Sequence, residues 1–360
     1  MKFKLLIIVV AVVLILVSAL LFQGRRINVH TDRSVEGLSE ELQDILYLGS
    51  LAPNSHNIQS WIIEIYLEQE VIRIKTDPDR TLNIIDPAHR ENYISLGCYV
   101  MTLMKSFEAY GYETGWTYDE VCKEISLDYH KTDETHDTDL FDLILKRHTD
   151  KRAFTDTELS LEAFNSVCSA SDSLNYYSSA SSEFELIKES TLNAYIDQAG
   201  NPDAAAELSE WLRLSNSETI NSKDGLPAEQ LGINGIRKSI YYIITTHESA
   251  AKDSFADQGI TTTKNQLENC SGFAVITSEN TELKLIECGM QTVGIWLSLT
   301  DAGISVQPMS YAIEETEYRT NLEEALSTDN IQMILRIGYT TDYGTNAAIR
   351  RDLADYISVK

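Results

Sequence analysis

A chain of 360 residues with 43% apolar and 23% charged content can bury a substantial core and is globular rather than disordered. Its 29 basic against 55 acidic residues leave a net charge of -26, which repels phosphate backbones and argues against nucleic acid as a partner, although a local basic cluster can still hold one phosphate. The five cysteines, Cys98, Cys122, Cys168, Cys270 and Cys288, show no CxxC pairing and read as packing residues rather than a disulfide frame or a metal site.

Leu5 to Phe22 is apolar except for Ser18 and is flanked by Lys2, Lys4, Arg25 and Arg26, a length close to a bilayer's span. The expectation is an N-terminal transmembrane helix within residues 1–26 that anchors the chain in the cell membrane, with Val17-Ser18-Ala19 as the alternative of a cleaved signal. Positive charge on both flanks leaves the side of the remaining domain undetermined. Gln23 to Glu36 is a polar linker, and Leu38, Leu42, Ile45 and Leu48 then give helical spacing behind Ser39 as N-cap. Leu51-Ala52-Pro53-Asn54-Ser55-His56-Asn57-Ile58-Gln59-Ser60-Trp61 follows. It is a Pro-led turn dense in amide and hydroxyl groups, a composition shared by ordinary loops and by loops that match the edge of a planar polar ligand. Trp61 to Leu67 and Val71 to Lys75 predict a hairpin, and Asp86-Pro87 precedes a long helix over about Arg90 to Tyr110 that Gly111 ends.

Asp133 to Asp139 reads as a solvated acidic linker, and His130 and His136 fit no standard metal spacing. Arg147-His148-Thr149-Asp150-Lys151-Arg152 places cations and a hydroxyl at the end of an apolar helix, suited either to capping it or to a phosphate. Residues 201–264, with Trp211, Tyr241 and Tyr242, are partly helical with turn punctuation, an insertion of the kind that covers a site. A second long helix, about Glu282 to Ala302, repeats the first: Gly97 precedes Gly111, and Gly289 precedes Gly303, by 14 residues. That is a modest sign of two related halves, 37–130 and 140–355. Ile331 to Tyr339 reads as a buried strand, and Arg350-Arg351 as the start of a terminal helix.

Ala-Pro-x-Ser-x-Asn-x-Gln-x-Trp ahead of Ile62-Ile63-Glu64-Ile65 resembles the flavin loop of the FMN-dependent nitroreductase family, with Ser60 where that family usually has proline. The resemblance implies an α+β nitroreductase-like fold and FMN contacts from Pro53, Asn54, Ser55, Asn57 and Gln59. It implies a phosphate site at Arg147, Thr149 and Lys151 or Arg152. Pro308, Met309 and Ser310 would lie beside the ring system. Arg350, with Arg351, would complete the clamp, Ala348 standing where the family carries lysine. The family's sites lie at homodimer interfaces, so a fused duplication implies a monomer acting as its own pseudo-dimer. This resembles the two-repeat, lid-bearing Acg-type oxidoreductases, and Asp224-Gly225-Leu226-Pro227-Ala228-x-x-Leu231-Gly232 looks like their lid segment.

The implied function is two-electron reduction of a small electrophilic molecule, a nitroaromatic or a quinone, by NAD(P)H in a ping-pong cycle. The flavin performs the chemistry, no side-chain base is expected, and His56 reads as loop architecture. The rival is a lidded protein that stores FMN and turns over little. A third possibility is that Ser60 and Ala348 mark a site that holds no flavin.

Overall fold

The computed structural model describes residues 2–133, 136–169 and 171–360, so part of the expected acidic linker at 133–139 lies outside the described residues. Helix α1 (Lys2–Gly24) leads into an extended segment and α2 (Glu40–Ser50), whose first turn is capped by the Ser39 side chain accepting from the Leu42 amide. Strands β1 (Trp61–Tyr66) and β2 (Val71–Thr76) form the expected hairpin, and β1 buries Trp61, Ile63 and Ile65 in strict alternation. Helix α3 (Arg90–Ala109) is followed by the pair β3 (Tyr112–Asp119) and β4 (Glu124–Lys131), then α4 (Thr138–Lys146), α5 (Leu161–Val167), β5 (Leu174–Ser178) and α6 (Ser182–Ala199).

Residues 201–264 form helices α7 (Pro202–Trp211), α8 (Asn216–Ser222), α9 (Gly235–Ile244) and α10 (His247–Ala250), and supply most of α11 (Asp253–Glu268). The two-residue strands β6 (Leu212–Arg213) and β7 (Leu226–Pro227) lie among them. Leu212, Leu214, Leu226, Tyr241 and Tyr242 give this region a hydrophobic cluster of its own. The chain continues through β8 (Gly272–Thr277), α12 (Glu282–Asp301), β9 (Ser305–Pro308), α13 (Tyr311–Glu314), α14 (Thr316–Leu326), β10 (Ile331–Gly338) and β11 (Ile357–Val359).

One sheet has the order β11-β1-β2-β4-β3 and the other β5-β8-β10-β9. Helix α3 packs on the first sheet, α12 on the second, and the two helices on each other. Their crossing explains the paired glycines. A Cβ on Gly97 would lie 1.9 Å from the Ile286 carbonyl oxygen, and one on Gly289 would lie 2.0 Å from that of Ile94. Each glycine thus meets the other helix three residues before its counterpart, a local two-fold relation.

Two expectations are corrected. Among the described residues no helix is long and apolar enough to cross a membrane, which overturns the transmembrane helix expected near the N-terminus. The last turn of α1 is held by protein: Gly24 meets Gly235, the Ser239 hydroxyl donates to the Leu20 carbonyl, and Asn216 Nδ2 donates to the Gln23 carbonyl. Nor does a helix begin at Arg350. The chain there is extended, makes one 3-10 turn at Leu353–Asp355, and ends as β11, whose Ile357 and Val359 pair in parallel with Ile63 and Ile65. The preceding segment is tied to residues 31 and 32, where the Thr31 hydroxyl donates to the Arg350 carbonyl and the Leu353 amide to that of Asp32.

Candidate functional site

The turn after α2 holds His56, Asn57 and Gln59 at φ of 47°, 53° and 53°, a left-handed conformation that non-glycine residues adopt only when their surroundings enforce it. Here the turn's own side chains do so. Asn54 Oδ1 accepts from the Gln59 amide at 2.8 Å, the Ser55 amide donates to Ser95 Oγ at 3.2 Å, and Ser55 Oγ donates to Glu91. Asn57 Nδ2 donates to the carbonyls of Gly225 and Ile349, both at 3.2 Å. The polar groups of the turn are therefore largely spent on fixing its shape.

Arg350 completes that scaffold because β11 returns the C-terminal chain to the first sheet. Its guanidinium is buried and donates to the carbonyls of Ser50, Leu51 and Ala52 and, at 2.9 Å, to Asn57 Oδ1. Arg147, just past the end of α4, lies beside it and donates from Nη2 to the same Leu51 carbonyl at 2.5 Å. Arg147 is 4% exposed, its guanidinium carbon sits 4.8 Å over the Trp296 ring, and its Nη1 has no hydrogen-bond partner among the described residues. Burial pulls both arginines down to about 10, their mutual repulsion adding to the shift of Arg350. Burial likewise pulls the Lys151 ammonium down to about 8, and Lys151 forms no ion pair among the described residues. Arg152 differs, because it pairs with Asp150 at 2.8 Å and Asp342 at 3.0 Å, which hold its pKa above the ordinary value.

These groups line a cavity of about 540 Å³, within the ~300–1,000 Å³ usual for small-molecule sites. Pro53, Asn54, Ser55 and Asn57 form part of its wall, as do Arg147, Thr149, Lys151 and Arg152, and from later in the chain Pro308, Ser310 and Arg350. Gln59, Met309 and Arg351 are not among the lining residues. Gln59 is buried beneath the turn, donating to the Lys223 carbonyl and accepting from the Arg351 amide, both at 2.9 Å. Met309 is fully buried in the hydrophobic cluster under the second sheet. The Arg351 guanidinium donates to the Gln59 carbonyl at 3.2 Å and lies over Tyr356.

Sequence reasoning missed Glu91 and Trp296 in the cavity wall, and also Tyr311 and Glu314. Trp296 Nε1 is buried without a partner among the described residues, and so is His56 Nδ1. Burial pushes the His56 imidazole down to about 4, so the ring is neutral at ordinary pH. Glu91 forms an ion pair with Arg90 at 2.9 Å, and its charge acts on the neighbouring Glu314 carboxyl. Burial and the Glu91 charge push the Glu314 carboxyl well above the usual carboxylate range, whereas Arg90 and Ser55 keep Glu91 below it. Nothing local marks these carboxylates, since each sits on a helix and only the tertiary fold joins them.

The arrangement places uncompensated cations and orphaned N–H donors at a cavity, which suits a dianionic, partly aromatic ligand. No family model matches the chain, and no curated relative matches it. A solved structure of the FMN-dependent nitroreductase NfnB from Mycobacterium smegmatis, in complex with NADPH, aligns with 59% of this chain and 94% of its own. The identity is 17% and the TM-score 0.38, a likeness that does not place the chain in a family.

Proposed function

We propose that the chain binds one FMN in this cavity and is an oxidoreductase that passes two electrons from NAD(P)H to a small electrophilic organic molecule, a nitroaromatic or a quinone, in a ping-pong cycle. The observation that carries this reading is the group Arg147, Lys151 and Arg350. In a chain of net charge -26, three desolvated cations with no carboxylate partner among the described residues converge on one cavity beside a rigid polar turn. Desolvated charges of one sign are costly unless a ligand supplies the other. Arg147 and Lys151 would hold the phosphate directly. Arg350 would act mainly by pinning the turn that faces the ring, and Arg152, already neutralised by Asp150 and Asp342, would contribute less. Thr149, Pro308 and Ser310 would shape the remaining wall. Bound FMN would supply hydride chemistry, while the protein orients it and excludes water.

We further propose that segments 37–130 and 140–355 act as two halves of one pseudo-dimer, with 201–264 as the lid. The reading is tested by adding NADPH or NADH anaerobically to flavin-loaded protein, where bleaching of the flavin band supports it. A second reading, flavin storage, draws support from how firmly the lid is tied to the turn. Asn57 bonds to Gly225, Gln59 to Lys223, and Asp224 is clamped between Arg80 and Arg213. Flavin that stays bound yet resists both nucleotides would favour storage.

A further inference from the structure

A second cavity of about 490 Å³ adjoins the first and shares with it His56, Lys151, Arg152, Tyr311 and Glu314, together with Leu226 and Gly232, which form a doorway. One side of this chamber is apolar and comes from the 201–264 region through Leu208, Leu212, Leu231 and Phe255. None of those four residues lines the first cavity. Nothing in the cation site or the polar turn accounts for this chamber.

We propose that the second chamber seats the electron acceptor, a neutral aromatic molecule bearing a carbonyl or nitro oxygen, and that Glu314 at the doorway donates a proton to that oxygen. This rests on the reading that FMN occupies the first cavity. The apolar wall makes a charged acceptor costly to desolvate. Glu91 and Glu314 line the same cavity wall, and two neighbouring buried carboxyl groups cannot both ionise readily, so one keeps a proton. The surroundings decide which. Glu91 pairs with Arg90 at 2.9 Å and accepts from Ser55, whereas Glu314 forms no ion pair among the described residues and accepts from Gln198 Nε2 at 2.5 Å. The proton therefore resides on Glu314. The other titratable groups lining the chamber and its doorway are the neutral His56 of the turn, Lys151 and Arg152, Tyr195 of α6, Glu207 of α7, Arg237 and Tyr241 of α9, and Tyr311 of Glu314's own helix.

For a quinone acceptor the step balances. The quinone gains a hydride from the reduced cofactor and a proton from Glu314, and leaves as hydroquinone. Glu314 is then a carboxylate and regains its proton from water once the chamber empties.

The test uses duroquinone, a neutral quinone with no free ring position for thiol addition. Infrared spectra of the protein at neutral pH should show a protonated carboxyl band that Glu314→Gln removes. With dithionite-reduced, FMN-loaded protein, reoxidation by duroquinone should slow as pH rises through the Glu314 titration. Glu314→Gln should lower the neutral-pH rate about 100-fold, as expected for a lost general acid, and abolish that pH dependence. Ala205 lines only the second chamber, so Ala205→Trp should weaken duroquinone binding at least tenfold by calorimetry. A carboxyl band and pH dependence unchanged in Glu314→Gln, or duroquinone binding unchanged in Ala205→Trp, would overturn the proposal. If the protein takes up no FMN, the flavin reading fails by itself. The infrared band and duroquinone binding to the flavin-free chain still decide the assignment of the chamber.

Discussion

Replacing Arg147 by alanine probes the phosphate site most cleanly, because this guanidinium is buried and, among the described residues, carries a free Nη1 and faces no carboxylate. A charge-assisted hydrogen bond contributes roughly 1.5–3 kcal/mol. Losing one such contact, about 2 kcal/mol, corresponds to about 30-fold weaker binding at ~1.4 kcal/mol per decade. The Leu51 carbonyl keeps a donor at 3.0 Å in Arg350 Nη2, so the turn retains its anchor and the flavin-free variant should fold. Calorimetric titration of parent and variant with FMN and with riboflavin separates phosphate recognition from ring recognition. FMN affinity should fall about 30-fold while riboflavin affinity changes little. Equal FMN affinity in both proteins, or an equal loss for riboflavin, would refute the assignment.

Arg350→Ala should weaken FMN and riboflavin alike, because it frees the turn rather than removing a phosphate contact, and should lower stability by at least ~2 kcal/mol in urea melts through the carbonyls it strands. Lys151, with a folded pKa of about 8 below its ordinary 10.5, must be protonated to bind phosphate above that pH. FMN affinity measured by fluorescence titration should therefore fall as pH rises through about 8. Flavin-free stability should move the other way, rising from pH 8 toward 10.5, because over that range the unfolded chain binds the proton that the folded chain has lost. Gly97→Ala should cost about 1–3 kcal/mol or more by overpacking against the Ile286 backbone, whereas Gly294→Ala, with nothing within 4 Å, should gain roughly 0.5–1 kcal/mol. Denaturant melts of the two variants should therefore shift in opposite directions.

The elements that local pattern specifies were legible in the chain. The two long helices show it, since their apolar spacing and closing glycines are written in sequence, and so do the β1–β2 hairpin and the cluster at 147–152. What escaped was set by distant contacts. Glu91 and Glu314 are ordinary helix carboxylates until α3 and α13 bring them together. Arg350 was legible as a cation but not as a brace for the turn, because that role depends on β11 returning to pair with β1. The same return explains why the expected C-terminal helix is a strand. Ile357 and Val359 alternate and meet Ile63 and Ile65, and that partner lies almost 300 residues earlier. The apolar run at the N-terminus reads by composition as a span, yet its last turn is bonded to α9 and to Asn216, contacts that hydropathy does not register. Met309 shows how far a motif is from a side-chain position. Its motif points to a site, but its side chain fills a core.

The central claim is that this cavity is built for FMN, and equilibrium dialysis of the purified chain against FMN tests it most directly. The account predicts saturation at one FMN per chain, with competition by inorganic phosphate and loss of affinity in Arg147→Ala. A folded protein that takes up no FMN, or takes it up with no dependence on Arg147, would contradict it.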